Sequence, residues 1–166
     1  MKTEAELLAL RLWLGLASPT DIDTWLDQYV EQVAEPHPEA LELFSLPYEQ
    51  QVSQFMALAR SVFGFEPESE RGSQVAAVLI AQLCEAALDG RLAVPQFCDT
   101  IARIDSKYIT PGLRAPYPQT LADLWNGCDW CDETWSLDHP SHVRSLLSEN
   151  SHEPDLNGGS LVNDDK

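Results

Sequence analysis

The sequence predicts an all-α protein, a single-domain bundle of about six to eight helices. Apolar residues recur at helical spacing along nearly the whole chain, prolines and glycines separate these segments, and no useful stretch shows the alternation of a strand. With 166 residues, 44% of them apolar, the chain is long enough to bury one core. We expect a helical domain over residues 1–149 and a disordered tail over residues 150–166, which are polar and aperiodic.

The first half of the chain predicts four helices. The first, over about residues 3–16, carries leucines on more than one face, so it lies at the centre of the core or meets a partner. The second starts with Ser18 as a cap, a proline at the first helical position and an aspartate at the third. Its apolar stripe is Ile22, Trp25, Leu26, Tyr29, Val30 and Val33. A short helix after Pro38 and a longer one between Pro47 and Phe63 follow.

The second half predicts a loop over residues 66–72 and then a buried helix over residues 73–89, stopped by Gly90. This helix should form an antiparallel hairpin with the next one, which runs from Pro95 to Tyr108. Residues 109–118 contain three prolines and a glycine, which predicts a loop. A helix over about 121–132 and a last one capped by Asp138 or Ser141 complete the bundle.

Charge is the most unusual property of the sequence. The chain has ten lysines and arginines and 27 aspartates and glutamates, which give a formal net charge of −17. The excess lies on both sides of a nearly neutral middle, residues 71–115. Such a field repels phosphate backbones and attracts basic proteins, so we expect a basic protein partner and no nucleic acid. The alternative is that the acidity serves solubility.

The sequence also predicts a cytoplasmic protein that does not enter a membrane. No apolar run approaches the length needed to span a bilayer. The leucine-rich start contains Glu4, Glu6 and Arg11 and lacks a convincing cleavage site, so we interpret it as a helix of the mature protein rather than an export signal. The four cysteines are then expected to be reduced thiols.

The stretch NGCDWCDETW, residues 126–135, raises three interpretations of its two cysteines. Cys128, Cys131, His139 and His142 supply four ligands that suit zinc, although their spacing departs from familiar zinc modules. A redox dithiol is disfavoured because the neighbouring carboxylates oppose thiolate formation. The third interpretation places Cys128 in the core and the histidines in a solvated first turn. Core packing is likewise expected for Cys84 and Cys98.

The same segment combines acidic and aromatic residues and is our predicted contact surface. Exposed tryptophans contribute strongly to binding, and carboxylates around them select a basic partner. The candidate partner-binding residues are Asp123, Asp129, Trp130, Asp132, Glu133 and Trp135. The alternative is that at least two of the three indoles of Trp125, Trp130 and Trp135 belong to the core.

The stretches LALRLWLGLASPTDIDTWLDQYV and LWNGCDWCDETW resemble a group of small, acidic, all-helical bacterial proteins. In general character these are similar to immunity proteins that neutralise secreted bacterial toxins. The resemblance implies a toxin-binding role and carries no set of binding residues with it.

The sequence contains no glycine-rich phosphate loop, no nucleophile elbow and no metalloprotease helix, so it predicts no enzyme and no catalytic residue. An enzyme that uses carboxylates alone is a further alternative, and it would need a cleft. We expect a protein-binding module that masks a basic partner, such as a cognate toxin, through an acidic surface bearing tryptophans, without a cofactor. The alternative is a small module stabilised by zinc on the two cysteines and two histidines named above.

Overall fold

The computed structural model describes residues 1–113, 115–127 and 140–152, which contain eight α-helices. They are α1 (Lys2–Trp13), α2 (Pro19–Gln32), α3 (Pro38–Glu42), α4 (Tyr48–Ser61), α5 (Glu70–Leu88), α6 (Val94–Tyr108), α7 (Gln119–Gly127) and α8 (Pro140–Glu149). A 3₁₀ turn, Leu43–Ser45, directly follows α3. These residues contain no strand, so the all-α prediction is confirmed. The predicted tail falls almost wholly on residues 153–166, outside the described part of the chain.

The helix α5 organises the core. It packs against α1, α6, α7 and α8, and its side chains are buried around most of its circumference, as its apolar sequence predicts. Helix α1 packs in turn against α2, α4 and α5, and its Leu8, Leu10 and Leu12 are buried. The leucine-rich first helix therefore belongs to the core.

The start of α5 differs from the prediction. The helix begins at Glu70, within the expected loop, because the Ser69 hydroxyl caps it by accepting a hydrogen bond from the Gly72 N–H over 3.1 Å. Gly72 is buried, and a Cβ there would overlap the Pro67 carbonyl group and lie 2.9 Å from the Glu66 carbonyl oxygen. A glycine that suggests a loop by composition is thus required by close packing of the preceding backbone.

The helix α2 is held by aromatic packing on its inner side. The Trp25 ring stacks on Tyr29 with centroids 4.8 Å apart and meets Phe55 of α4 edge-on at 5.1 Å. The predicted stripe is correct for its buried members, Ile22, Trp25, Leu26 and Tyr29. It is wrong at Val30, which is 39% exposed. Helix α2 is therefore fixed on one side and leaves its other side to solvent.

Candidate functional site

The structure describes one residue of the predicted contact surface. Asp123 is exposed on α7, where its Oδ1 accepts a hydrogen bond from Gln119 Nε2 over 2.7 Å. The other five candidates, Asp129, Trp130, Asp132, Glu133 and Trp135, lie outside the described residues. That surface therefore stays a prediction.

The candidate zinc ligands also lie outside the part of the chain that the structure describes. Cys128, Cys131 and His139 lie outside the described residues, and so does the side chain of His142. Among the side chains that are described, no three histidines, cysteines or carboxylates group as metal ligands would. Cys84 is fully buried in the core, as predicted, and Cys98 is partly buried against it.

A different acidic region stands out between Arg11 and Arg60. The sequence has no lysine or arginine between these two residues. The same stretch holds eight carboxylates: Asp21, Asp23, Asp27, Glu31, Glu35, Glu39, Glu42 and Glu49. It forms α2, α3, the 3₁₀ turn and most of α4, which pack on one another. One part of the molecule therefore carries negative charge without any cation of its own.

The outer side of α2 carries a row of carboxylates. Asp23, Asp27 and Glu31 follow at intervals of four residues, so they line one side of the helix about 6 Å apart along its axis. Asp27 and Glu31 are exposed, and Asp23 is partly exposed. Because the inner side of α2 is fixed by Trp25 and Tyr29, this carboxylate row has a fixed position on the protein.

Next to this row, large apolar side chains are exposed where α3 passes into α4. Leu41, Phe44 and Tyr48 expose 44%, 49% and 58% of their surface. The Tyr48 hydroxyl donates a hydrogen bond to Asp23 Oδ2 over 3.3 Å, which joins this group to the carboxylate row. We call the combined surface the acidic–aromatic face. It consists of Asp23, Asp27, Glu31, Leu41, Glu42, Phe44, Tyr48 and Glu49.

The buried side chain of Gln51 links the elements of this face through hydrogen bonds. Its side chain is 4% exposed, and its Nε2 donates to Asp23 Oδ1 over 3.3 Å and to the Leu43 carbonyl oxygen over 3.5 Å. One amide thus ties α2 and the 3₁₀ turn to α4. Its Oε1 is buried without a hydrogen-bond partner among the described residues. Such an acceptor is costly to bury unless a donor reaches it.

Several cations elsewhere in the described chain are engaged within the protein. Arg71 Nη2 lies 2.7 Å from Glu6 Oε2, and Arg91 Nη2 lies 3.1 Å from Asp89 Oδ2. Lys107 Nζ lies 4.8 Å from the centroid of the Trp13 ring. None of these contacts involves the acidic–aromatic face, so its charge is not compensated by them.

A second surface feature is a groove of about 240 Å³ that is open to solvent. Its lining residues come from α1, α2 and α5: Glu4, Leu7, Leu8, Arg11, Asp21, Thr24, Trp25, Gln28 and Gln82. Trp25 Nε1 is buried without a hydrogen-bond partner among the described residues. The Arg11 guanidinium lies 3.8 Å from the Asp21 carboxylate, so the charges in the groove partly offset each other.

The described side chains show no arrangement of a nucleophile with its base. His37 Nδ1 accepts the Glu39 N–H over 3.3 Å, which uses this imidazole as the cap of α3. Burial raises the pKa of the Cys84 thiol to about 12, so it stays protonated and unreactive near neutral pH.

Sequence reasoning missed Leu41, Phe44 and Tyr48. Phe44 and Tyr48 lie on either side of Leu46 and Pro47, at the junction between two predicted helices. They belong to no periodic stripe, so the spacing of apolar residues in these helices does not show that they face outward. A signal was present in the sequence, because the interval from Arg11 to Arg60 lacks any lysine or arginine and contains these aromatics.

Comparison of the chain with protein-family models, with curated proteins and with solved structures finds no match. Among the described residues, no helix combines the length and apolarity that crossing a membrane requires.

Proposed function

We propose that this protein binds and masks a basic protein partner, in the manner of an immunity protein or inhibitor. The observation that carries the proposal is the acidic–aromatic face, where the exposed Tyr48 contacts Asp23 of the carboxylate row and Phe44 is exposed as well. The stretch that forms this face, between Arg11 and Arg60, supplies no lysine or arginine. Interfaces are enriched in large aromatic residues, and complementary charge selects the partner and speeds its association.

The mechanism is steric and electrostatic. The carboxylates of α2 occupy a cationic cleft of the partner in place of its polyanionic substrate, and the aromatic side chains exclude water around them. The fixed position of α2 favours this role, because a rigid surface loses little conformational freedom on binding.

The test is capture of partners from the host by the tagged full chain at low and at high salt. We expect basic proteins to be retained at low salt and released at high salt, because exposed charge pairs are screened. Each retained protein is then purified, and its affinity is measured by calorimetry over a range of salt concentrations.

The informative variant is the triple substitution Asp23→Asn, Asp27→Asn and Glu31→Gln, which removes the carboxylate row and keeps the side-chain shapes. Asp99→Asn, an exposed carboxylate of α6, is the control. We expect the triple variant to lose most of the binding and the control to keep it. Affinities independent of salt, or retention of acidic proteins in preference to basic ones, would exclude the proposal.

A further inference from the structure

We infer that the acidic–aromatic face takes a cationic amphipathic helix of the partner. The inference rests on the proposed function and names the part of the partner that makes the contact. The occupant carries lysines or arginines one helical turn apart along one side and an apolar stripe next to them.

The spacing of the carboxylate row is the first argument. Asp23, Asp27 and Glu31 repeat about every 6 Å along α2, one turn of helix after another. Cations at intervals of four residues on a second helix repeat at the same distance. A helix lying along α2 therefore brings one cation to each carboxylate, a match that an irregular loop does not provide.

The position of the apolar side chains is the second argument. Tyr48 is joined to Asp23 through its hydroxyl, so the exposed apolar group begins beside the carboxylate row. An amphipathic helix whose cations face the row turns its adjacent stripe towards Leu41, Phe44 and Tyr48. Glu42 and Glu49 flank these side chains and are exposed, which suits further cations at the edges of the stripe.

The probe for the test is a synthetic amphipathic helix of about four turns, with lysines one turn apart on one side and leucines beside them. The control peptide has the same composition in an order that forms no stripe. Binding of both to the full chain is followed by fluorescence anisotropy. We expect the patterned peptide to bind about 10-fold more tightly or better, since charge is equal and only the patterned peptide buries apolar surface on the face.

Variants of the protein locate the contact. The double substitution Phe44→Ala and Tyr48→Ala is expected to weaken binding of the patterned peptide about 10-fold or more. Tyr48→Phe keeps the ring and loses the hydrogen bond to Asp23, so its effect should be smaller. Ile109→Ala, which removes an apolar side chain that is 61% exposed at the end of α6, is the matched control and should not alter binding. Circular dichroism verifies that every variant is folded.

Equal affinity for the two peptides, or equal loss in the Ile109→Ala control, overturns the inference and leaves the proposed function in place, because a basic partner would then be bound by charge without a patterned contact. Failure of both peptides to bind at low salt also overturns the inference. The proposed function fails separately, through salt-independent capture of partners from the host.

Discussion

Tryptophan side chains in this protein serve as anchors of the core wherever they are described. Trp25 is 5% exposed and packs among Tyr29, Phe55 and Phe63. Trp13 meets Tyr108 edge-on at 5.7 Å. The aromatic side chains of the proposed contact surface are instead Phe44 and Tyr48, which are smaller than tryptophan and exposed.

The ion pair of Glu6 with Arg71 leads to a stability prediction. Glu6 is 1% exposed, and Arg71 bonds it through Nε at 3.4 Å and Nη2 at 2.7 Å. Arg71→Ala leaves a buried carboxylate whose remaining ion pair among the described residues is with Lys2 Nζ, 3.9 Å away. We expect a loss of about 3 kcal/mol in the free energy of unfolding, measured with urea.

Two further variants test whether the loss of stability comes from the unpaired buried charge of Glu6 rather than from the removal of any arginine. Arg91→Ala breaks pairs with Glu85 and Asp89 that are exposed, and it should cost less than about 1 kcal/mol. Adding Glu6→Leu to Arg71→Ala should recover most of the loss, because no unpaired charge then remains in the core. A similar loss in both arginine variants would contradict this account.

The Cys84 thiol leads to a prediction about reactivity. Burial raises its pKa to about 12, and its side chain is closed to solvent, so both the thiolate and the access that labelling requires are lacking. In the native protein at pH 8 we expect a thiol reagent to modify Cys84 at least about 100-fold more slowly than in urea. Peptide mapping identifies the modified cysteine. Prompt modification in the native protein would show that α5 opens readily.

At the scale of elements, the capped start of α2 makes its stability depend on pH. The Asp21 carboxylate accepts hydrogen bonds from the Ser18 backbone N–H at 2.8 Å and from its hydroxyl at 2.9 Å. The backbone bond is the main reason that the pKa of Asp21 is lowered below its usual range. With a folded-state pKa below that of the unfolded chain, the stabilisation is complete above the unfolded pKa and disappears as pH falls through the folded pKa.

Asp21→Ala tests this dependence. At pH 7 we expect a loss of about 1 kcal/mol in the free energy of unfolding, as for other first-turn and capping contacts. The difference from the wild type should begin to shrink below about pH 4, near the unfolded pKa of aspartate. Urea titrations of both proteins at a series of pH values measure it. Asp99→Ala, an exposed carboxylate of α6 outside the carboxylate row, is the control and should show no such trend.

The helices were predictable because residues next to one another in sequence, such as a capping serine followed by a proline, mark where a helix begins. Ser18 with Pro19 marks α2 correctly. The composition of residues 66–72, rich in Glu, Ser, Arg and Gly, instead predicts a loop that conceals the cap of α5 at Ser69. The acidic–aromatic face was not predictable from helix patterns, since it arises where α2 meets the junction of α3 and α4. Tyr48 and Asp23 are 25 residues apart in sequence, and the fold brings them into contact.

At the scale of the whole molecule, the charge is divided unevenly. Arg71 of α5, Arg91 between α5 and α6, and Arg103 of α6 contact Glu6, Asp89 and the Gly15 carbonyl oxygen. Helix α2, by contrast, has four carboxylates and no basic residue. Like charges held close together repel and destabilise the folded state. A surface kept under such repulsion fits a role in which a cationic partner relieves it on binding.

This leads to a prediction in which stability and binding change in opposite directions. The pair of substitutions Asp27→Asn and Glu31→Gln removes two exposed charges from the carboxylate row and no buried contact. At low salt we expect the melting temperature to rise by about 1–2 °C, because repulsion along α2 falls. The same pair should weaken binding of the patterned lysine and leucine peptide.

High salt and a charge-matched pair at another place provide the controls. Added salt should raise the wild-type melting temperature and narrow its difference from the variant, since screening removes the same repulsion. Asp99→Asn with Glu85→Gln changes the net charge equally but touches α6 and α5, where arginines lie nearby, and Glu85 lies 3.9 Å from Arg91. This pair should not stabilise the protein or weaken peptide binding. If it did both, net charge rather than the carboxylate row would be the property that the partner recognises.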